Sequence, residues 1–148
     1  MEKQNYMVTI EVKGNAEKAF KSINNVTEWW NENLEGDSYK LNDVFKIHFG
    51  GNNFVTHKIV EFTPDKKVVW LVTDCFLDWL KDKTEWTKTK MSFELTSKDD
   101  LTQINFTHIG LVPEVECYNM CVKGWEQYIK GSLLKLINEG EGQAAKKK

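Results

Sequence analysis

Hydrophobic and polar positions follow a period of two over most of the chain and a period of 3.6 near its end. Residues 5–13 (NYMVTIEVK) place Tyr6, Val8, Ile10 and Val12 on one face, which predicts a half-buried strand. Gly14 and Asn15 break it. Asn15 is a candidate N-cap, and AEKAFKSI puts Ala16, Ala19, Phe20 and Ile23 on one side of a short helix. Asn24 and Asn25 end that helix, VTEWWNEN predicts a second short one, and Gly36–Asp37 predict a turn. Within 39–49, Phe45, Ile47 and Phe49 oppose Val44, Lys46 and His48. Gly50-Gly51-Asn52-Asn53 is a hairpin turn leading into a return strand at 54–62. Thr63-Pro64-Asp65 turns the chain into a strand at 67–76 with a near-continuous apolar run. Residues 77–85 have no clear period. Residues 87–96 alternate, with Thr89, Met91, Phe93 and Leu95 on one face. After a turn at Lys98-Asp99-Asp100, residues 101–109 alternate with Ile104, Phe106 and His108 together.

From Glu114 to about Glu139 the helical period takes over. Tyr118, Cys121, Trp125, Tyr128, Ile129, Ser132 and Leu136 fall along one line, opposite Glu116, Asn119, Lys123, Gln127 and Lys130. The pattern predicts a helix of about 24 residues and about 36 Å, capped by Gly140. Residues 141–148 (EGQAAKKK) are expected to form a flexible tail, leaving residues 1–140 as a single domain. Consecutive hairpins give an antiparallel sheet whose apolar face must be covered. The 114–139 helix is the one predicted element long enough to do so. The fold class is therefore α+β, a curved antiparallel sheet of six or seven strands around a long C-terminal helix, with two short helices after the first strand. Space enclosed between sheet and helix is the natural place for a ligand.

This order of elements resembles the helix-grip fold of the START-like, birch-pollen-allergen-like (SRPBCC) superfamily. Within it, the chain resembles the family named after the activator of heat-shock-protein-90 ATPase. The segments that carry the resemblance are TPDKKVVWLVT at 63–73, EWTKTKMSFEL at 85–95, INFTHIGL at 104–111 and GWEQYIKGSLLKLINEG at 124–140, with the Trp29–Trp30 pair. The resemblance implies a cavity that takes lipids, sterols, polyketides or other apolar molecules, and a cyclase or dehydratase activity in a few members. It also implies a chaperone as partner and a role in stress response. The motif is a signature of fold and transfers no active site.

Composition narrows the rest. The 148 residues include 20 basic and 22 acidic ones, for a net charge of −2. Three of the lysines are the last three residues, so the body is more acidic than that figure. An acidic body argues against a nucleic-acid partner. No apolar run is long enough for membrane insertion, and residues 1–20 lack a signal-peptide pattern. Three cysteines make no disulfide framework and point to a reducing, cytoplasmic setting. Six Trp, eight Phe and four Tyr predict an interior of wide, flat side chains, either tightly packed or leaving room for a ligand.

The inward aromatic set is Phe45, Phe49, Trp70, Phe93, Phe106, Trp125 and Tyr128. It reads as an ordinary core or as the wall of a pocket, with Ile47, Val72, Met91 and Cys121 completing the ligand-binding candidates. His57 and His108 add polar chemistry: a neutral imidazole can orient a ligand's hydroxyl or carbonyl, or act as a base, or be a hydrogen-bonded structural group. Tyr128 is a third candidate for orienting a ligand. Glu61 or Asp74 beside either histidine would make an acid–base dyad, although solvated positions suit them better. Cys117 and Cys121 lie four apart, and with His108 would offer three metal ligands. No CxxC or HExxH spacing supports a metal, and small apolar packing explains both thiols. No catalytic residue, metal or cofactor is assigned. The expected function is binding of a small hydrophobic or amphipathic ligand, with a co-chaperone-like interaction protein as the alternative and a cyclase-like enzyme as the third reading.

Overall fold

The computed structural model describes residues 5–112, 116 and 118–144. Seven strands form one antiparallel sheet in the order β1-β7-β6-β5-β4-β3-β2. They are β1 (Tyr6–Lys13), β2 (Leu34–Gly36), β3 (Val44–Gly50), β4 (Asn53–Thr63), β5 (Lys67–Phe76), β6 (Lys90–Lys98) and β7 (Leu101–Ile109). Helices α1 (Ala16–Asn24) and α2 (Val26–Trp29) follow β1. The C-terminal helix consists of α3 (Tyr118–Glu126), a π-helical stretch (Gln127–Leu133) and α4 (Leu134–Glu139). This is the helix-grip architecture. The start predicted for the last helix, at Glu114, lies outside the described residues.

Register places the predicted inward positions in rows across the sheet. Trp70 pairs Met91, which pairs His108, which pairs Tyr6. Val68 pairs Phe93, which pairs Phe106, which pairs Val8. Every one of these eight side chains is buried, because a period-two strand with one covered face must turn all alternate residues inward. Asn15 caps α1 by accepting from the Lys18 N–H at 3.0 Å, and Gly140 ends α4 in the left-handed region at φ 83°.

Four local features depart from the pattern. The second helix stops at Trp29 instead of running through 33, because Asn31 Oδ1 accepts from the Asn33 N–H at 2.8 Å and turns the chain. The turn predicted at Gly36–Asp37 follows a three-residue edge strand, β2, paired with β3. Gly36 has φ 99°, and a Cβ there would run into the Val44 carbonyl oxygen. In the C-terminal helix a constant 100° per residue brings Leu136 inward, whereas the structure buries Leu133 and Ile137 and leaves Leu136 half-buried. The π stretch turns the chain less per residue, so contacts recur at Trp125, Ile129, Leu133 and Ile137. Finally, residues 141–144 run back against the body. The Gln143 N–H donates to Ser132 Oγ at 2.7 Å, Ser132 Oγ donates to the Trp29 carbonyl at 2.6 Å, and Ala144 is buried.

The phase shift is open to a direct check. Leu133→Ala is expected to cost about 2–5 kcal/mol as a fully buried deletion, and Leu136→Ala less than about half of that. Urea unfolding of the two variants measures the difference, and equal costs would contradict the π phase.

Candidate functional site

The concave side of the sheet is filled mainly by aromatic rings. Trp30 stacks on Trp70 with centroids 6.0 Å apart, meets Trp125 at 5.1 Å and lies 6.2 Å from Trp29. Trp125 meets Phe106 at 4.7 Å and Trp86 at 6.2 Å. Five of the six tryptophans thus form one continuous array, and its rings occupy much of the space between sheet and helix. Phe45, Ile47, Val72, Met91, Phe93 and Phe106 each have 0% exposure, as has Trp70 within the array, and they form the core around it.

What remains open is a small recess of about 130 Å³ at one end of the sheet, where the C-terminal helix meets the 77–89 connection. Of the candidates named from the sequence, Phe49, Cys121, Trp125 and Tyr128 line it. The other nine do not. The remaining lining residues are Trp30, Leu77, Trp79, Trp86, Met120 and Gly124. Leu77, Trp79 and Trp86 fall in the stretch 77–86, whose lack of a clear period left their direction open, whereas Trp30 falls in the predicted second helix and Met120 and Gly124 in the C-terminal one, off the line predicted to face inward. Gly124 has a specific part: a Cβ built there meets nothing within 4 Å, so the missing side chain opens the recess. Trp79 and Met120, 43% and 60% exposed, form its rim. The Trp86 indole N–H in the wall has no hydrogen-bond partner, and burial pushes the Tyr128 phenol up.

Cys121 also sits in this wall, and its sulfur is disulfide-bonded. That corrects the reading of Cys121 as a small packed thiol; Cys117 lies outside the described residues. Cys75 is a free, buried thiol.

The histidines divide sharply. His108 is saturated: its Nδ1 accepts from Trp125 Nε1–H at 3.0 Å, and its Nε2 lies 3.0 Å from Thr89 Oγ1. Since Nδ1 accepts, the neutral ring carries its proton on Nε2 and donates to Thr89, whose hydroxyl donates to the Trp86 carbonyl at 2.6 Å. His108 therefore has no nitrogen left for a ligand. Gly110 keeps this chain in place, because a Cβ there would sit 2.7 Å from Thr89 Cγ2 at φ 104°. His57 is the opposite case. It has 0% exposure, and neither ring nitrogen has a hydrogen-bond partner; the Phe45 backbone nearby favours the charged form without reaching hydrogen-bond geometry. Burial is the largest cause that lowers both histidines to about 3, and each is neutral at physiological pH.

The possible dyads do not assemble. Glu61 is exposed and pairs with Lys67 at 3.5 Å, and Asp74 is exposed. His48, expected in solvent, is half-buried on the outer face with Nε2 3.1 Å from Glu35. Among the described residues no three or more His, Cys, Asp and Glu side chains converge on a metal position, and no helix is long and apolar enough to cross a membrane.

A curved sheet gripping one helix, with an apolar recess where that helix meets the 77–89 connection, defines a helix-grip protein. More narrowly, residues 18–138 match the family model "Activator of Hsp90 ATPase homolog 1-like protein", and the chain belongs to that family, part of the SRPBCC superfamily. At the family level this supports ligand-binding or co-chaperone-like roles. The chain is similar in structure to the Aha1 dimer of Colwellia psychrerythraea, with TM-score 0.77, 22% identity, and coverage of 94% of this chain and 99% of that one. It is also similar to protein SSP2350 of Staphylococcus saprophyticus, with TM-score 0.71, 10% identity, and coverage of 97% and 98%. CalU16 of Micromonospora echinospora matches with TM-score 0.62, 14% identity, and coverage of 88% and 73%. At these identities the likeness is one of fold. No curated protein matches the chain.

The buried histidines make stability depend on pH. Unfolded histidines bind protons below about 6.5, whereas the folded ones stay neutral down to about 3. Their contribution is complete above pH 6.5. It falls as pH drops, by about 1.4 kcal/mol per pH unit for each ring. Urea midpoints between pH 7 and 5 are expected to show this slope, and His57→Phe is expected to remove about half of it. An unchanged slope in His57→Phe would contradict the assignment.

Proposed function

We propose that this protein binds a small apolar molecule, or the apolar end of a larger one, in the recess between the C-terminal helix and the 77–89 connection. One observation carries the reading: the recess is about 130 Å³ and is walled by six aromatic residues with Leu77, Met120, Cys121 and Gly124. An engineered apolar cavity of about 150 Å³ in another protein holds one benzene ring. This recess therefore suits a single ring or short alkyl segment, and is far too small for a whole sterol or lipid. Each Å² of apolar surface removed from water contributes about 25 cal/mol. The cytoplasmic setting is retained in this reading, with one observation pulling the other way: Cys121 lies in a disulfide, which reducing compartments disfavour.

A second reading rests on the rim. Exposed Trp79 and Met120 at the mouth suit an apolar side chain of a protein partner, in keeping with a co-chaperone-like role. It predicts that the protein raises the ATPase rate of an Hsp90-type chaperone and that Trp79→Ser lowers this effect. Absence of any stimulation by the unaltered protein would remove it.

The first reading is tested with toluene as probe. Toluene is expected to move the indole N–H resonances of Trp30, Trp86 and Trp125. Gly124→Leu puts a side chain into the open space and replaces glycine in a helix, a gain of about 1 kcal/mol or roughly 2–4 °C in Tm. This variant is expected to be more stable and to show no toluene shifts. Unmoved indole signals in the unaltered protein would refute the reading.

A further inference from the structure

We propose that the recess is the outer part of a longer site whose inner end is His57, reached when the Trp30 indole turns aside, and that the site takes a neutral aromatic molecule carrying a hydroxyl or carbonyl group. The inference rests on the recess being a ligand site and adds the chemistry of the ligand.

His57 is a buried imidazole neither of whose nitrogens reaches hydrogen-bond geometry with a partner, although the Phe45 backbone lies beside the ring. Buried polar side chains are overwhelmingly paired, and leaving one unpaired destabilises the fold. The same core satisfies His108 completely, so this fold is able to accommodate an imidazole with partners. The backbone is also irregular here. The register between β4 and β5 shifts between Thr56 and His57 and again between Ile59 and Glu61. Such irregularities re-aim side chains and are over-represented beside functional sites.

Three rings enclose His57. Phe45 stacks on it at 4.7 Å, Trp30 meets it edge-on at 5.3 Å, and Trp70 meets it edge-on at 5.9 Å. Phe45 and Trp70 come from the interior of sheet strands, where backbone pairing fixes them. Trp30 follows a four-residue helix. Of the three, it alone also lines the recess. One indole therefore separates an apolar recess from an unsatisfied polar group.

The inner end offers one imidazole N–H, one imidazole lone pair and the Trp70 indole N–H, which also lacks a partner. No Asp, Glu, Lys or Arg is buried among the described residues. A charged ligand group would enter without a counter-charge, at high cost. A hydroxyl or carbonyl is the group that fits.

The test compares p-cresol with toluene, two probes that differ by one hydroxyl. In the unaltered protein p-cresol is expected to shift the ¹⁵N resonances of the His57 ring, and toluene is expected to leave them in place. His57→Phe should keep toluene affinity and lower the p-cresol/toluene affinity ratio about tenfold. If both probes bind, the His57 nitrogens do not respond and the ratio is unchanged in His57→Phe, this inference is overturned while the recess reading stands. If neither probe binds, both are overturned. The ring resonances are read in the unaltered protein, so the result holds even where the variant fails to fold.

Discussion

The hydrogen bond from Trp125 Nε1 to His108 Nδ1 is the constraint on which the rest of the interior depends. It is a directional link between helix and sheet inside an interface otherwise made mostly of carbon. Dispersion and burial hold the helix against the sheet but do not choose its rotation. The bond does, together with the Lys13 N–H, which donates to Asn138 Oδ1 at 2.8 Å near the far end of the helix. It also fixes the His108 tautomer, so that Nε2–H, Thr89 and the Trp86 carbonyl follow in one direction. The chain thereby ties the helix, β7 and the 77–89 connection together, and these elements supply much of the recess wall.

Around this link the tryptophans settle how much space remains. A wide sheet and one helix leave a gap, and Trp29, Trp30, Trp70, Trp86 and Trp125 close most of it by ring-to-ring contact. Such packing approaches crystal density, and the recess under the helix lies where a side chain is missing, at Gly124. The protein shares its fold and family with ligand-binding and co-chaperone-like proteins, but the size of its own site follows from these particular rings and one glycine. Fold likeness at 22% identity or less does not carry that information.

The two buried histidines show how identical residue types on equivalent inward positions acquire different meanings. His108 faces an indole N–H and a threonine hydroxyl, and the bonds turn it into a structural joint. His57 faces three aromatic rings and has no partner. Alternation along β4 and β7 places both on the concave face. It cannot say what comes across from elements remote in sequence.

The amino-acid sequence by itself determined the antiparallel sheet, the long covering helix and the inward rows of Met91, Phe93, Ile104 and Phe106. Those features are properties of a local period, and the period is written in neighbouring residues. The Asn15 cap, the hairpin turns and the Gly140 stop are equally local. The tertiary structure alone decided that Phe45, Trp70 and Phe106 lie buried away from the open recess, and that Trp79, Trp86 and Gly124 border it. It also decided the π phase that exchanges Leu136 for Leu133. Each of these depends on contacts between residues far apart in the sequence. A residue's nearest neighbours specify its direction; what it meets there is set only when the whole chain has closed around it.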